Sequence, residues 1–339
     1  MNSPHTHQTP PFGGASTYDV VGIGSAIVDV LAHVSEMTLD KLDLPKGSMQ
    51  LVDEARSKAI YGKLGPSKEC SGGSAANTLA GLASLGASTA FIGKVANDQL
   101  GNIFAHDMRS VGVHFATAPS VSGLSTATCM VCVTPDAQRT MATFLGACTR
   151  LSKADIDEGL IAASQVLYIE GYQWDMPDAK EAIRKAIAVA KEHGRKVALT
   201  LSDTFCVDRF RDEFMALVSE EIDILFANES EITALTRQNV FADAVATIQG
   251  KCEVVAITRS EKGSVVVTKD SVKTVASERV AELVDTTGAG DLFAAGFLYG
   301  YTRGWAHKDS AVLGNKSAAQ IIQQLGARSM EPLSGLLAA

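Results

Sequence analysis

The chain has 339 residues, 46% of them hydrophobic and 20% charged, enough for one large α/β domain or a core with a smaller addition. With 30 basic against 38 acidic residues the net charge is −8, which excludes a general nucleic-acid or membrane-surface binder but leaves room for a local phosphate pocket. Six cysteines are scattered through the chain. Cys129 and Cys132 form a CxxC inside an apolar β-like run, where positions three apart face opposite sides of a sheet, so free thiols in a reducing compartment are expected.

Residues 1–17 are polar and rich in Pro and Gly, without an apolar signal-like core, and read as a loose tail. No apolar run is long enough to span a bilayer, and a cytoplasmic protein is expected. Residues 18–27 read as a buried first strand. Gly22 and Gly24 open a dinucleotide fingerprint, but Ile27 stands where its third glycine belongs, so no Rossmann cofactor site is expected. Asp29 is the only carboxylate in the largely apolar stretch to Val34. Buried strands of α/β sheets place ligand groups at their carboxyl ends, and Asp29 is read in that role over a plain loop cap.

A short strand and a helix follow over 50–61. Gly72-Gly73 then precedes a helix of small residues, Ser74-Ala75-Ala76-Asn77-Thr78-Leu79-Ala80. The glycine pair lets backbone amides approach a polar ligand, and Asn77 can both donate to and accept from a hydroxyl. A helix packed tightly on a sheet explains the same residues. Residues 89–95 read as a strand and 98–110 as an amphipathic helix. Residues 125–133 and 139–145 form a β-hairpin about Pro135-Asp136-Ala137, an antiparallel insertion suited to cover a site at the strand ends.

The βα rhythm resumes with strands at 165–170, 196–201 and 222–226 and helices at 177–193 and 208–218. Asn228-Glu229-Ser230-Glu231 opens a further helix. Its carboxylates complement the helix dipole, and Asn228 and Glu231, three apart on one face, could also hold a hydrated cation. Strand 254–258 runs through Arg259-Ser260-Glu261-Lys262-Gly263 into a hairpin partner at 264–268. The alternation predicts an α/β fold, a doubly wound, mostly parallel sheet with helices on both faces. Last comes Asp285-Thr286-Thr287-Gly288-Ala289-Gly290-Asp291, directly before an apolar helix that should be buried. A helix N-terminus with free amides is an anion site, and Asp291 there is either an N-cap or a base beside an attacking hydroxyl.

With both glycine-rich stretches in this order, and the 228–231 and 258–263 segments between them, the sequence resembles the ribokinase-like (PfkB-type) sugar and nucleoside kinases from about Tyr18 to about Arg328. The stretches 199–205 and 222–229 and the aromatic run Gly171-Tyr172-Gln173-Trp174 look most like adenosine kinases, where the aromatic run could suit a purine. One departure is Ser25, where adenosine kinases commonly carry Asn. The resemblance implies ATP-dependent transfer to the 5′-hydroxyl of a nucleoside, with adenosine as acceptor and a sugar kinase as the alternative. In that scheme Asp291 is the base, the amides of Gly288, Ala289 and Gly290 stabilise the transferring group, and Arg139 from the lid neutralises phosphate. Asp29 grips two ribose hydroxyls, with Ser25, Gly72, Gly73, Ser74 and Asn77 alongside and Tyr172 as a stacking wall. Thr258, Ser260, Gly263 and Asn315 line the ATP ribose and adenine, with Asn228, Thr287, Gly288 and Gly290 toward the phosphates. Mg²⁺ is tied through water to Asn228 and Glu231, and by family habit K⁺ sits near the Asp285 and Thr287 carbonyls. The expected organisation is a kinase domain over 18–330 with a lid from about 30–50 and 113–145, then a tail over 331–339. The expected partner is a small nucleoside or sugar, with no nucleic acid or membrane, and the protein is a monomer or homodimer.

Overall fold

The computed structural model describes residues 17–136 and 138–338. Valine- and isoleucine-rich runs bounded by polar or glycine-rich turns form most of the strands, as their β-branched side chains favour. In chain order the elements are β1 (Tyr18–Ile23), β2 (Ile27–His33), α1 (Glu36–Lys41), β3 (Met49–Leu51), α2 (Glu54–Tyr61), β4 (Ser67–Gly72), α3 (Ser74–Ser84), β5 (Thr89–Ile92), α4 (Gln99–Ser110), β6 (Val113–Phe115), β7 (Ala127–Val133) and β8 (Arg139–Phe144). They continue with α5 (Glu158–Ala162), β9 (Ser164–Glu170), α6 (Pro177–Glu192), β10 (Lys196–Thr200), α7 (Thr204–Glu220), β11 (Ile224–Asn228), α8 (Glu229–Thr236), α9 (Phe241–Ile248), β12 (Val254–Thr258), β13 (Ser264–Thr268), β14 (Ser271–Val275), α10 (Ala289–Thr302) and α11 (His307–Ile321).

The main sheet has nine strands in the order β14-β13-β12-β11-β10-β9-β1-β5-β6, parallel from β12 to β6 and antiparallel at β13 and β14. Two apolar layers cover it. Helices α6, α7, α8 and α9 pack on one face, and α3, α4, α10 and α11 on the other. The doubly wound sheet expected from the alternation is what forms. Helix α10, apolar on nearly every side, lies in the middle of its layer with Phe293, Phe297 and Leu298 fully buried.

The chain order reverses between β9 and β1, and the carboxyl ends of parallel strands at such a switch point are where α/β sheets bind ligands.

A second sheet, in the order β3-β8-β7-β2-β4, stands over those ends. Helices α1 and α2 cover its outer face through Leu39, Ile60, Met130 and Cys132. The inner face carries Leu31, Cys129 and Val131, so the CxxC thiols do point to opposite sides, and all six cysteines are free.

Four expectations are corrected. The first strand expected over 18–27 ends at Ile23, because the backbone leaves the main sheet there and from Ile27 re-pairs as β2 with β4 and β7. Asp29 therefore sits within a strand of the second sheet, opposite Cys70 and Cys129, and not at the end of β1. Within 113–145, Val113–Phe115 belongs to the main sheet as β6, while β4 joins the second sheet. Residues 331–338 are no tail: Leu333 is buried, and its amide donates to the Ser84 hydroxyl at 2.9 Å. The expected N-terminal tail lies, up to residue 16, outside the described residues. Among those described, no helix is long and apolar enough to cross a membrane.

Leu333→Ala is expected to lower stability by about 2–3 kcal/mol through the cavity it leaves. Thermal melting measures this, and an unchanged Tm would show the segment to be dispensable.

Candidate active site

A cleft of about 740 Å³ lies between the two sheets, a size suited to a small-molecule ligand. Its floor is the carboxyl edge of the main sheet: Ser25 follows β1, Glu170 ends β9, Thr200 ends β10, Asn228 ends β11 and Thr258 ends β12. Its roof is the second sheet, whose alternating side chains send Ile27 and Asp29 from β2, and Arg139, Met141 and Thr143 from β8, into the same space. Asp29 and Asp291, far apart in sequence, line this one cleft.

Gly288 takes a left-handed conformation (φ 78°) and starts α10. The amides of Gly288 and Gly290 find no acceptor among the described residues, so both are free for an anion. The Ala289 amide is committed to the Thr286 carbonyl at 3.2 Å, which narrows the expected three-amide cradle to two. Asp291 in the first turn accepts 2.7 Å from the Ser74 hydroxyl and 2.9 Å from Asn77 Nδ2. Burial raises its pKa, while those two donors and the charge of Arg328 oppose the rise.

The second glycine step closes the other side. Gly73 has φ 95°, and a Cβ there would collide with the Ser25 carbonyl oxygen. A Cβ on Gly72 would overlap the Asp29 carboxylate. Gly72 thus lies behind Asp29, outside the cleft wall, whereas Gly73, Ser74 and Asn77 line it. Burial pushes Asp29 up to about 7, against the lowering field of Arg328. Arg139 crosses from the roof to pair with Asp285 at 3.0 Å and to donate to the Thr286 hydroxyl at 3.2 Å. Asp285 itself lies outside the cleft wall, where it also accepts from the Thr287 amide and hydroxyl and from the Gly326 amide.

Asn228 and Glu231 both line the cleft and form a capping box, Asn228 Oδ1 taking the Glu231 amide at 2.8 Å and Glu231 the Asn228 amide at 3.0 Å. Burial pushes Glu231 up to about 7. No group of three or more His, Cys, Asp or Glu among the described residues could enclose a metal ion. The oxygen donors of Asn228 and Glu231 fit a hydrated hard cation bound mainly by its own waters and by phosphate. Of the residues expected around ATP, Thr258, Thr287, Gly288 and Gly290 line the cleft and Ser260, Gly263 and Asn315 do not. Gly263 and Asn315 surround the backbone of 275–277 instead: Asn315 donates to the Ala276 carbonyl at 2.8 Å, and Gly263 (φ 81°) packs on Val275.

Tyr172 lines the cleft, 42% exposed, with its hydroxyl on the Ser202 carbonyl. Trp174, grouped with it in the sequence, is core. It is 1% exposed, and its indole N–H donates to Glu213 at 3.0 Å.

Two cleft residues escape sequence reasoning. Glu170 is fully buried and accepts from the Ser25 amide (2.7 Å), the Ser25 hydroxyl (2.5 Å) and the Ala75 amide (2.8 Å). It ties the turn after β1 to the start of α3. Gln173 donates to Ser25 Oγ at 2.8 Å. The available signal was a glutamate ending a buried strand, the same logic applied to Asp29.

A doubly wound sheet roofed by a second sheet, with a carboxylate beside free helix-start amides, defines a ribokinase-like phosphotransferase. Residues 67–333 match the pfkB family of carbohydrate kinases. The chain belongs to that family and is an ATP-dependent kinase whose acceptor is an alcohol group. Its family implies ATP and typically Mg²⁺.

It is 46% identical to an adenosine kinase from Sinorhizobium meliloti (TM-score 0.89, covering 95% of this chain and 99% of the other). It is 44% identical to a probable sugar kinase protein from Rhizobium etli CFN 42 (TM-score 0.89, 95% and 98%). It is also 29% identical over 262 residues to the 5-dehydro-2-deoxygluconokinase of Geobacillus kaustophilus (74% and 78%).

The raised Asp29 pKa makes a stability prediction. The folded value lies above the usual 3.8, so this group binds more protons in the native state between about pH 4 and 7, and its cost to stability is greatest above 7. Asp29→Asn should raise the Tm of the ligand-free protein at pH 8, with the gain shrinking toward pH 4. A lower Tm at pH 8 would refute the desolvation account.

Proposed function

We propose that the chain is a nucleoside kinase that transfers the γ-phosphoryl group of ATP to the 5′-hydroxyl of adenosine. The supporting observation is the chemistry of the cleft wall beyond the sugar-side polar groups. Met49, Leu51 and Met141 from the roof and Tyr172, Met176, Phe205 and Phe210, from the segments that follow β9 and β10, line the same cleft. A sugar alone buries only a small C–H face against such a surface, whereas a purine buries a larger flat face against aromatic and thioether groups. The high identity to the Sinorhizobium adenosine kinase supports the same reading.

In this reading Asp29 accepts two ribose hydroxyls, with Ser25, Gly73 and Asn77 beside it. Asp291 takes the proton of the attacking 5′-hydroxyl. Its raised pKa makes it a better base near neutral pH than an ordinary aspartate, and Ser74 and Asn77 aim it. The Gly288 and Gly290 amides receive the charge of the transferring group, and Arg139 turns from Asp285 toward phosphate. Bound Mg²⁺, held through water by Asn228 and Glu231, would neutralise phosphate charge. The adenine of ATP is placed beside Thr258; Ser260, Gly263 and Asn315, which do not line the cleft, belong to its subsite by family resemblance alone. A K⁺ ion near the Asp285 and Thr287 carbonyls belongs to the reading by family resemblance alone. The enzyme works in the cytoplasm.

The alternative, a sugar kinase, is favoured by Glu170 and Gln173, which add polar character beside Ser25. A coupled assay with ATP and adenosine, other nucleosides, ribose, fructose and 5-dehydro-2-deoxygluconate decides between them. Turnover of adenosine well above every sugar is expected, and turnover of a sugar with none of adenosine would overturn the reading.

Asp291→Asn should lower kcat by about 10²–10⁴ with acceptor binding retained. Because Asp29 must be ionised to accept two hydroxyls and titrates at about 7, kcat/KM should fall as the pH drops through neutrality.

A further inference from the structure

Arg328 lies between α11 and the C-terminal turn, in a stretch without a recognisable motif. Its guanidinium donates from Nε to the Ser71 carbonyl at 2.9 Å and from Nη1 to the Ala76 carbonyl at 2.8 Å. Nη2 reaches the Ser71 hydroxyl at 3.1 Å and lies 3.3 Å from the Met108 sulfur. Ser71 is in β4 of the second sheet and Ala76 is in α3 of the main layer, so one planar fork spans the Gly72-Gly73-Ser74 step from both sides.

All of these acceptors are neutral. The charge is not consumed by a carboxylate in contact, and its field reaches Asp29, Asp291 and Asp107. Asp107 is itself held to the same strand, accepting the Ser71 amide at 2.9 Å.

We propose that Arg328 is a positioning residue for phosphoryl transfer: it locks the glycine step that shapes the acceptor site and supplies the positive charge that Asp29 and Asp291 share. The proposal rests on the reading that these two carboxylates bind the acceptor and activate it. Apart from Arg139, which lines the same cleft, the other charged and titratable groups around them are acidic or neutral. Cys70, Cys129 and Asp285 stand near Asp29, and Glu170, Glu231 and Tyr168 near Asp291. Arg328 is the cation that lowers the pKa of both carboxylates. Arg139 is paired with Asp285.

The test uses the full chain carrying Arg328→Met or Arg328→Lys, with Tm, kcat and KM measured from pH 5.5 to 9 on whichever acceptor the wild type turns over. Methionine keeps the stem and removes the charge. It should move the acid limb of kcat/KM upward by at least about half a pH unit and raise the acceptor KM roughly tenfold. Lysine keeps the charge without the planar fork. It should leave the limb in place and raise the acceptor KM while the KM for ATP stays unchanged.

A folded Arg328→Met enzyme with a wild-type limb and acceptor KM overturns the proposal, as does a loss of Tm alone in both variants. If the methionine variant does not fold, an unchanged acceptor KM in Arg328→Lys is by itself decisive against the clamp. Failure of the underlying reading shows separately: Asp291→Asn would then retain turnover whatever Arg328 does.

Discussion

Two hydrogen bonds, from Ser74 and Asn77 to the carboxylate of Asp291, join the starts of α3 and α10. They connect stretches separated by more than two hundred residues, and the site's geometry follows from that junction. Asp291 is fixed in its helix turn, α3 is fixed against α10, and the Gly72-Gly73 step before α3 sets where Asp29 can lie. Glu170 repeats the device on the other flank by tying Ser25 to the Ala75 amide. An acid in each case accepts from groups at the start of α3, where unpaired amides and a partial positive charge favour an anion.

The electrostatics of the cleft run against stability. Asp29, Glu231 and Asp291 all have raised pKa values because burial disfavours their charge. Such groups are carried at a cost that a purely structural core would avoid, and the cost concentrates where chemistry needs bases and acceptors near neutral pH. The large apolar layers on both faces of the main sheet supply the stability that tolerates it.

Much of this was legible in the residues. Apolar runs alternating with helical periodicity announced the main sheet, and the two glycine steps announced the ends of α3 and α10. Asp29, Asn77, Asn228, Glu231 and Asp291 indeed meet in one cleft. The second sheet was only half visible. Its hairpin stood out, but β2 hid behind β1, since Gly24-Ser25, which marks where pairing changes partners, reads as part of a glycine fingerprint within one strand. Strand β4, Ser-Lys-Glu-Cys-Ser-Gly, is a polar edge strand with little β propensity, formed because β2 offers it a partner. Glu170 carried a local signal, a carboxylate ending a buried strand, that went unused, whereas Arg328 carried none. The partners of both lie far off in the chain, and no local pattern encodes those.

Asp29 and Asp291 are carried by different layers, the second sheet and a helix packed on the main sheet. Asp29 rides on β2, and the chain passes from that strand through Ser25 straight into the main sheet; β4 likewise runs directly into Gly73. Cover and acceptor grip are therefore one piece of backbone, joined to the main sheet and α3 through the same few residues. The gap between grip and base is thus set by how the upper sheet stands over the lower one, and a change in the few linking residues displaces cover and grip together.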